Sequence, residues 1–185
     1  MKTKYFKYVK SIALIIFGAM LFSCENDLTV VESLKVDENT PVQSSSNIDM
    51  EYSDSGLVMM RLRSPELHRY ISDKEYIEMP KGIDVVFFDS IGNTKSTLRS
   101  NYAINHVEKK IIEARINVIA TNVKGEKLYT EELIWDQKKH KIYTEKQVKV
   151  VSEKTVLFGD GLIADENFID WEIQNPHDAE FLFDE

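Results

Sequence analysis

The sequence predicts an all-β fold, an antiparallel β-sandwich or β-jellyroll, preceded by a flexible tether. Three observations carry this. From Met50 onward apolar residues recur with period two, the signature of half-buried strands. Polar turn signals interrupt the alternation at near-regular spacing: Pro80-Lys81-Gly82, Ile91-Gly92-Asn93, Val123-Lys124-Gly125, Asp136-Gln137-Lys138-Lys139 and Gly159-Asp160-Gly161. The length of 185 residues, 43% of them hydrophobic, suffices for one domain with a real core and barely for two.

The first residues stand apart from that domain. Lys2, Lys4, Lys7 and Lys10 form a basic head, followed by an apolar run from Ile12 to Phe22. A bilayer-spanning helix needs roughly 20 apolar residues, so the shorter run reads as a secretory signal peptide over residues 1–23. Leu21-Phe22-Ser23-Cys24 resembles a bacterial lipobox, and Cys24 is the only cysteine in the chain. A single thiol in an exported protein makes no internal disulfide. The lipobox supplies the reason for it: cleavage before Cys24, a diacylglyceryl group on its sulfur and acylation of the new amino terminus. Several acyl chains, at about 0.8 kcal/mol per buried methylene, make a firm membrane anchor.

Residues 24–49 carry Pro41, the run Ser44-Ser45-Ser46 and scattered acids, and read as a tether. A flexible coil of that length spans on the order of 25 Å.

Residues 50–176 form the expected β domain. Val58, Met60 and Leu62 share one parity, and so do Ile83, Val85 and Phe87. Ile112, Ala114, Ile116, Val118 and Ala120 alternate with Glu113, Arg115 and Asn117. Leu128 and Thr130, Leu133 and Trp135, Ile142 and Thr144, Val148 and Val150, and Val156 and Phe158 continue the pattern, and a last set surrounds Trp171 and Ile173. Pro65 to Tyr70 is the one segment that reads as either helix or strand. Residues 177–185 form an acidic tail with Phe181, Leu182 and Phe183 embedded in it, disordered or a docking peptide, with disorder the preferred reading.

Charge and motif content exclude several function classes. Removing residues 1–23 takes away four lysines and no acids, so the formal net charge of −8 becomes −12. This argues against nucleic acid and against flat docking on an anionic membrane. The four histidines His68, His106, His140 and His177 lack ligand spacing, so no metal or other cofactor is expected. Neither a nucleophile elbow nor a phosphate-binding loop is present, so the reading is that of a non-enzyme.

The stretch from about Tyr76 to Ile173 resembles the LptC family, the membrane-tethered periplasmic component of the lipopolysaccharide export machine. The resemblance rests on YIEMPKGIDVVFFDSIG, on the block from LRSNYAINHVEKK through LIWDQKKHKIYTEKQVKV, and on FGDGLIADENFIDWEI. Better-known members hold the membrane with a transmembrane helix, where this chain has a lipobox.

What the resemblance implies is a slightly open β-jellyroll. Its apolar groove takes the acyl chains of lipopolysaccharide, lined by Val85, Phe87, Ile116, Val118, Leu128 and Val148. One unpaired edge, around Leu57 to Arg63 with Val58, Met60 and Leu62, would face the jellyroll subunits of the inner-membrane ABC transporter. The other, around Phe168, Trp171 and Ile173, would face the next bridge jellyroll. The competing reading is a lipoprotein that binds another lipid or glycan on its own, with no need of open edges.

Overall fold

The structure is a computed structural model that describes residues 40–71, 74–166 and 168–182. The signal peptide, Cys24 and most of the tether lie outside the described residues. The described part holds eleven strands: β1 (Gln43–Asp54), β2 (Leu57–Tyr70), β3 (Tyr76–Met79), β4 (Ile83–Phe88), β5 (Thr94–Ser100), β6 (Tyr102–His106), β7 (Ile111–Asn122), β8 (Lys127–Asp136), β9 (Lys141–Val151), β10 (Thr155–Asp165) and β11 (Trp171–Phe181). All neighbouring pairs are antiparallel.

The order of pairing reads as one meander whose strands are bent in the middle. β2 pairs with β4 through residues 60–63 and with β3 through 68–70. β7 pairs with β6 through 111–115 and with β5 through 119–122. Since β4 pairs β5 and β3 pairs β6, β3 and β4 are two limbs of one bent strand around Gly82, and β5 and β6 two limbs of another around Asn101. The remaining long strands carry their own corners. The pairing breaks register between Arg115 and Val118 in β7, Thr130 and Ile134 in β8, and Asp160 and Leu162 in β10. Each strand thus has an upper limb, such as 118–122 of β7, and a lower limb, such as 111–115.

The bends fold the sheet onto itself. Phe87 lies in the upper limb of β4, on the row that crosses β7 at Asn122, and Trp135 in the lower limb of β8, opposite Ile112 of β7. On a flat strand those rows would be about 33 Å apart at 3.3 Å per residue. The rings instead meet at 5.8 Å between centroids. Inward residues of the two halves therefore face each other and form one core, with Leu128 and Leu162 at 0% exposure and Val118 and Val150 at 1%. Burying each such side chain contributes about 1.5–3 kcal/mol.

Corners leave backbone carbonyls without ladder partners, and buried hydroxyls take several of them. Ser64 donates to the carbonyls of Glu66 and Gly82, both at 2.8 Å, Ser100 to that of Tyr102, and Thr130 to that of Gln147. Gly82 is required at its corner: its φ is +84°, and a Cβ there would sit 2.2 Å from the Ser100 carbonyl oxygen. Pro65, which cannot donate to a ladder, falls where β2 leaves β4 and before it meets β3.

The structure corrects two expectations, on the tether and the tail, and decides one reading that the sequence left open. Strand β1 begins at Gln43, inside the segment read as tether, and pairs with β2 from Gln43↔Arg69 to Asp54↔Leu57. The segment Pro65 to Tyr70 is extended, within β2. The acidic tail is strand through Phe181, because β11 continues along β10 to the pair Thr155↔Phe181.

Candidate functional site

The site residues expected from the sequence fall on the inward face of the sheet and near its two outermost strands among the described residues, β1 and β11. Val85 is 3% exposed, Val118 1%, Leu128 0% and Val148 3%, and Phe87 is half-buried against the same cluster. These five residues come from β4, β7, β8 and β9, and all face the interior of the upper half. The lower half answers with Leu67, Met79, Ala103, Ala114, Leu133, Ile142, Leu162 and Ala164, all buried. The buried inward residues therefore form a continuous apolar band that crosses the strands rather than following them.

Ile116, expected in that band, is 51% exposed and points outward. It has φ 65° and its neighbour Asn117 φ 52°, so the two form a left-handed corner. Two residues drop out of the ladder between Arg115 and Val118. Because the number is even, Ala114 and Val118 both stay inward while Ile116 between them is turned out. A β-branched residue in that conformation is strained, and the Ile116 carbonyl accepts a 2.9 Å bond from the Asn101 amide where two corners meet.

The edges differ from expectation at one end. Met60 and Leu62 lie on β2 between β1 on one side and β4 on the other, whereas Val58, paired with Ser53 of β1, lies beyond the β4 pairing on the protruding start of β2. Met60 and Leu62 are not edge residues; among the described residues β1 is the edge strand. Its outer face carries Asp49, held by Arg61 at 2.6 Å and by Arg63 at 3.4 Å. The hydrogen bond from Arg61 lowers the Asp49 carboxyl to about 2. Its protruding end, with the start of β2, exposes Met50, Tyr52, Leu57, Val58 and Met59. At the other end, Trp171 and Ile173 lie on β11, which among the described residues pairs with β10 alone. Phe168 lies before that strand, in the β10–β11 loop, and is 2% exposed.

Near β11 the two halves are clasped where their strand ends meet. The β7–β8 turn belongs to the upper half and the β10–β11 loop to the lower. Asn122 donates to the Phe168 carbonyl at 2.9 Å and to Glu126 at 2.7 Å, and the Trp171 indole donates to Glu126 at 3.0 Å. Phe168 stacks on Trp171 with centroids 6.3 Å apart. Burial pushes the Glu126 carboxyl up, but the bonds from Trp171 and Asn122 outweigh it and leave the group below its ordinary value. Sequence reasoning missed this clasp, because nothing in the spacing of Asn122, Glu126 and Trp171 brings them together until the sheet is folded.

On the outer surface the charges are paired across strands. Asp84 accepts from Arg99 at 2.6 Å, and Arg115 bonds both Glu113 and Glu132. A depression of about 360 Å³ at the β7 corner, where the ladder is interrupted, is lined by outward Ile119, Tyr129 and Lys149 together with inward Val118 and Val148. Tyr102, whose hydroxyl donates to Glu78 at 2.8 Å, is pushed up to about 12 by burial and that carboxylate. Groups with this character stay in one charge state at neutral pH and serve the scaffold.

Residues 12–167 match the family described as lipopolysaccharide-assembly, LptC-related. No curated protein matches the chain. With most of its length matched and a sheet folded around an apolar interior, the chain belongs to the LptC family, whose members are lipopolysaccharide transport components tied to the periplasmic side of the inner membrane.

Proposed function

We propose that this protein accepts lipopolysaccharide from the periplasmic jellyroll subunits of the inner-membrane ABC transporter and passes it to the next jellyroll of a bridge toward the outer membrane. The acyl chains travel between the two halves of the folded sheet. The observation that carries the reading is the pairing of an apolar interior, running across all the strands, with a free edge at each end of the run, β1 and β11. An edge offers N–H and C=O groups that a second sheet completes, so joined edges would make adjoining interiors continuous. Each acyl methylene buried contributes about 0.8 kcal/mol whichever jellyroll holds it, so transfer between like interiors is close to neutral. The driving work belongs to the transporter.

The interior is filled by its own packed side chains, so uptake requires the halves to separate about the line of corners. The clasp at Asn122, Glu126 and Trp171 is the contact that such opening would break near β11. Acylation at Cys24 would hold the chain at the membrane, with β1 following directly from the tether. Depletion of the protein is expected to block delivery of lipopolysaccharide to the outer leaflet. Undiminished delivery would overturn the proposal.

A further inference from the structure

We propose that the β6–β7 and β8–β9 turns form a cationic rim that binds the phosphate groups of the glycolipid whose acyl chains enter the interior. This rests on the reading of the interior given above, and it names the residues that would hold the polar end of the same ligand.

The two turns are built alike and lie side by side. Residues 107–110 join β6 to β7 and residues 137–140 join β8 to β9. Each ends in a residue of positive φ, Lys110 at 58° and His140 at 53°, and the Gln137 amide donates to the Lys110 carbonyl at 3.1 Å. This places Lys109, Lys110, Lys138 and Lys139 together against Glu108 and Asp136, in a chain whose net charge is −8. Asp136 is 5% exposed and is spent within its own turn. It accepts from the Lys138 and Lys139 amides, both at 3.1 Å, and pairs with the Lys139 ammonium at 3.0 Å. Glu166 is likewise committed, to Trp135 and His140.

What remains is a group of neighbouring cations. Among the described residues Lys109, Lys110 and Lys138, like most lysines of this surface, form no ion pair, and all three are exposed. They also stand beside a partly exposed end of the interior. Ile111, Ile112 and Trp135, the strand residues next to these turns, are half-buried, and Phe87 of the opposite half touches Trp135. A ligand with acyl chains between the halves at this point would bring whatever lies directly above the chains to the lysines. In lipopolysaccharide that is a phosphorylated disaccharide, and mobile ammonium groups match the several geometries of phosphate oxygens.

The test is equilibrium binding of bisphosphorylated and monophosphorylated lipid A to the mature full-length chain. The variant is Lys109→Gln, Lys110→Asn and Lys138→Gln together; Asn suits the positive φ at 110, and Lys139 is left in place because it holds the turn. Lys146→Gln, at the β9 corner, is the control. With three exposed charge contacts removed, affinity for bisphosphorylated lipid A should fall about tenfold, with a smaller fall for the monophosphorylated form, and Lys109→Arg with Lys138→Arg should bind as the native chain does. An unchanged affinity in a variant that melts normally would overturn the rim and leave the interior reading standing. No binding of either lipid by the native chain would overturn both. A loss confined to phosphatidylglycerol vesicles free of glycolipid would overturn the rim in favour of a membrane contact.

Discussion

Phe87 of β4 and Trp135 of β8 meet edge to face at 5.8 Å, although their rows on the sheet would lie about 33 Å apart if it were flat. The contact is a direct report of the fold's closure. In a double-mutant cycle, Phe87→Ala and Trp135→Ala should couple by about 0.5–1.5 kcal/mol in urea unfolding. Strict additivity would mean that the halves do not press together at this point.

Glu126 joins the upper half to Trp171 of the lower, and its carboxyl is held below the ordinary glutamate value of 4.5. A lowered folded-state value contributes stability that is present above 4.5 and is lost as the pH falls through the lowered value. Glu126→Gln keeps an oxygen for the indole but removes the charge. Native protein should therefore lose more stability than the Gln variant between neutral pH and the range below 4.5, measured as urea midpoints. Parallel pH profiles would remove Glu126 as the source.

Gly159 leaves no room for a side chain between β10 and β11, since a Cβ there would lie 2.2 Å from Ile173 Cγ2 and 2.8 Å from the Asn175 carbonyl oxygen. Gly159→Ala should cost about 1–3 kcal/mol through forced separation. Hydrogen exchange should show faster amides in β11 and little change in β7. Uniform acceleration would point instead to global destabilisation.

If β1 is the edge that meets the transporter, a photo-reactive residue at Tyr52, which is 60% exposed, should capture a jellyroll subunit in cells. The same residue at Leu62 of β2, inside the sheet, should not. Capture at Leu62 alone would restore β2 as the edge.

How much of this was legible in the sequence follows from what each strand faces. β7, β8 and β9 bury one face and expose the other, so Val118, Leu128 and Val148 could be placed inward from parity alone. β1, apart from half-buried Ser45 and Ile48, and the end of β11 are exposed on both faces, so Ser44-Ser45-Ser46 and Asn175-Pro176-His177 read as tether and tail. Missing β1 moved the edge one strand inward, to Val58, Met60 and Leu62. A signal for β1 was present: Asp49 and Glu51 face Arg61 across the pair. Ile116 was misplaced because β-branched residues disfavour positive φ, so nothing local announced a corner there. The clasp of Asn122, Glu126 and Trp171 depends on the fold of the whole sheet and has no local signature.

The central claim is that the interior carries acyl chains. A photo-reactive amino acid placed at Val118, 1% exposed, tests it in living cells, with Asn117 as the outward control. The account predicts lipopolysaccharide adducts at Val118 and none at Asn117. Adducts at neither position, in folded and membrane-retained protein, would contradict it and leave the inward band as core alone.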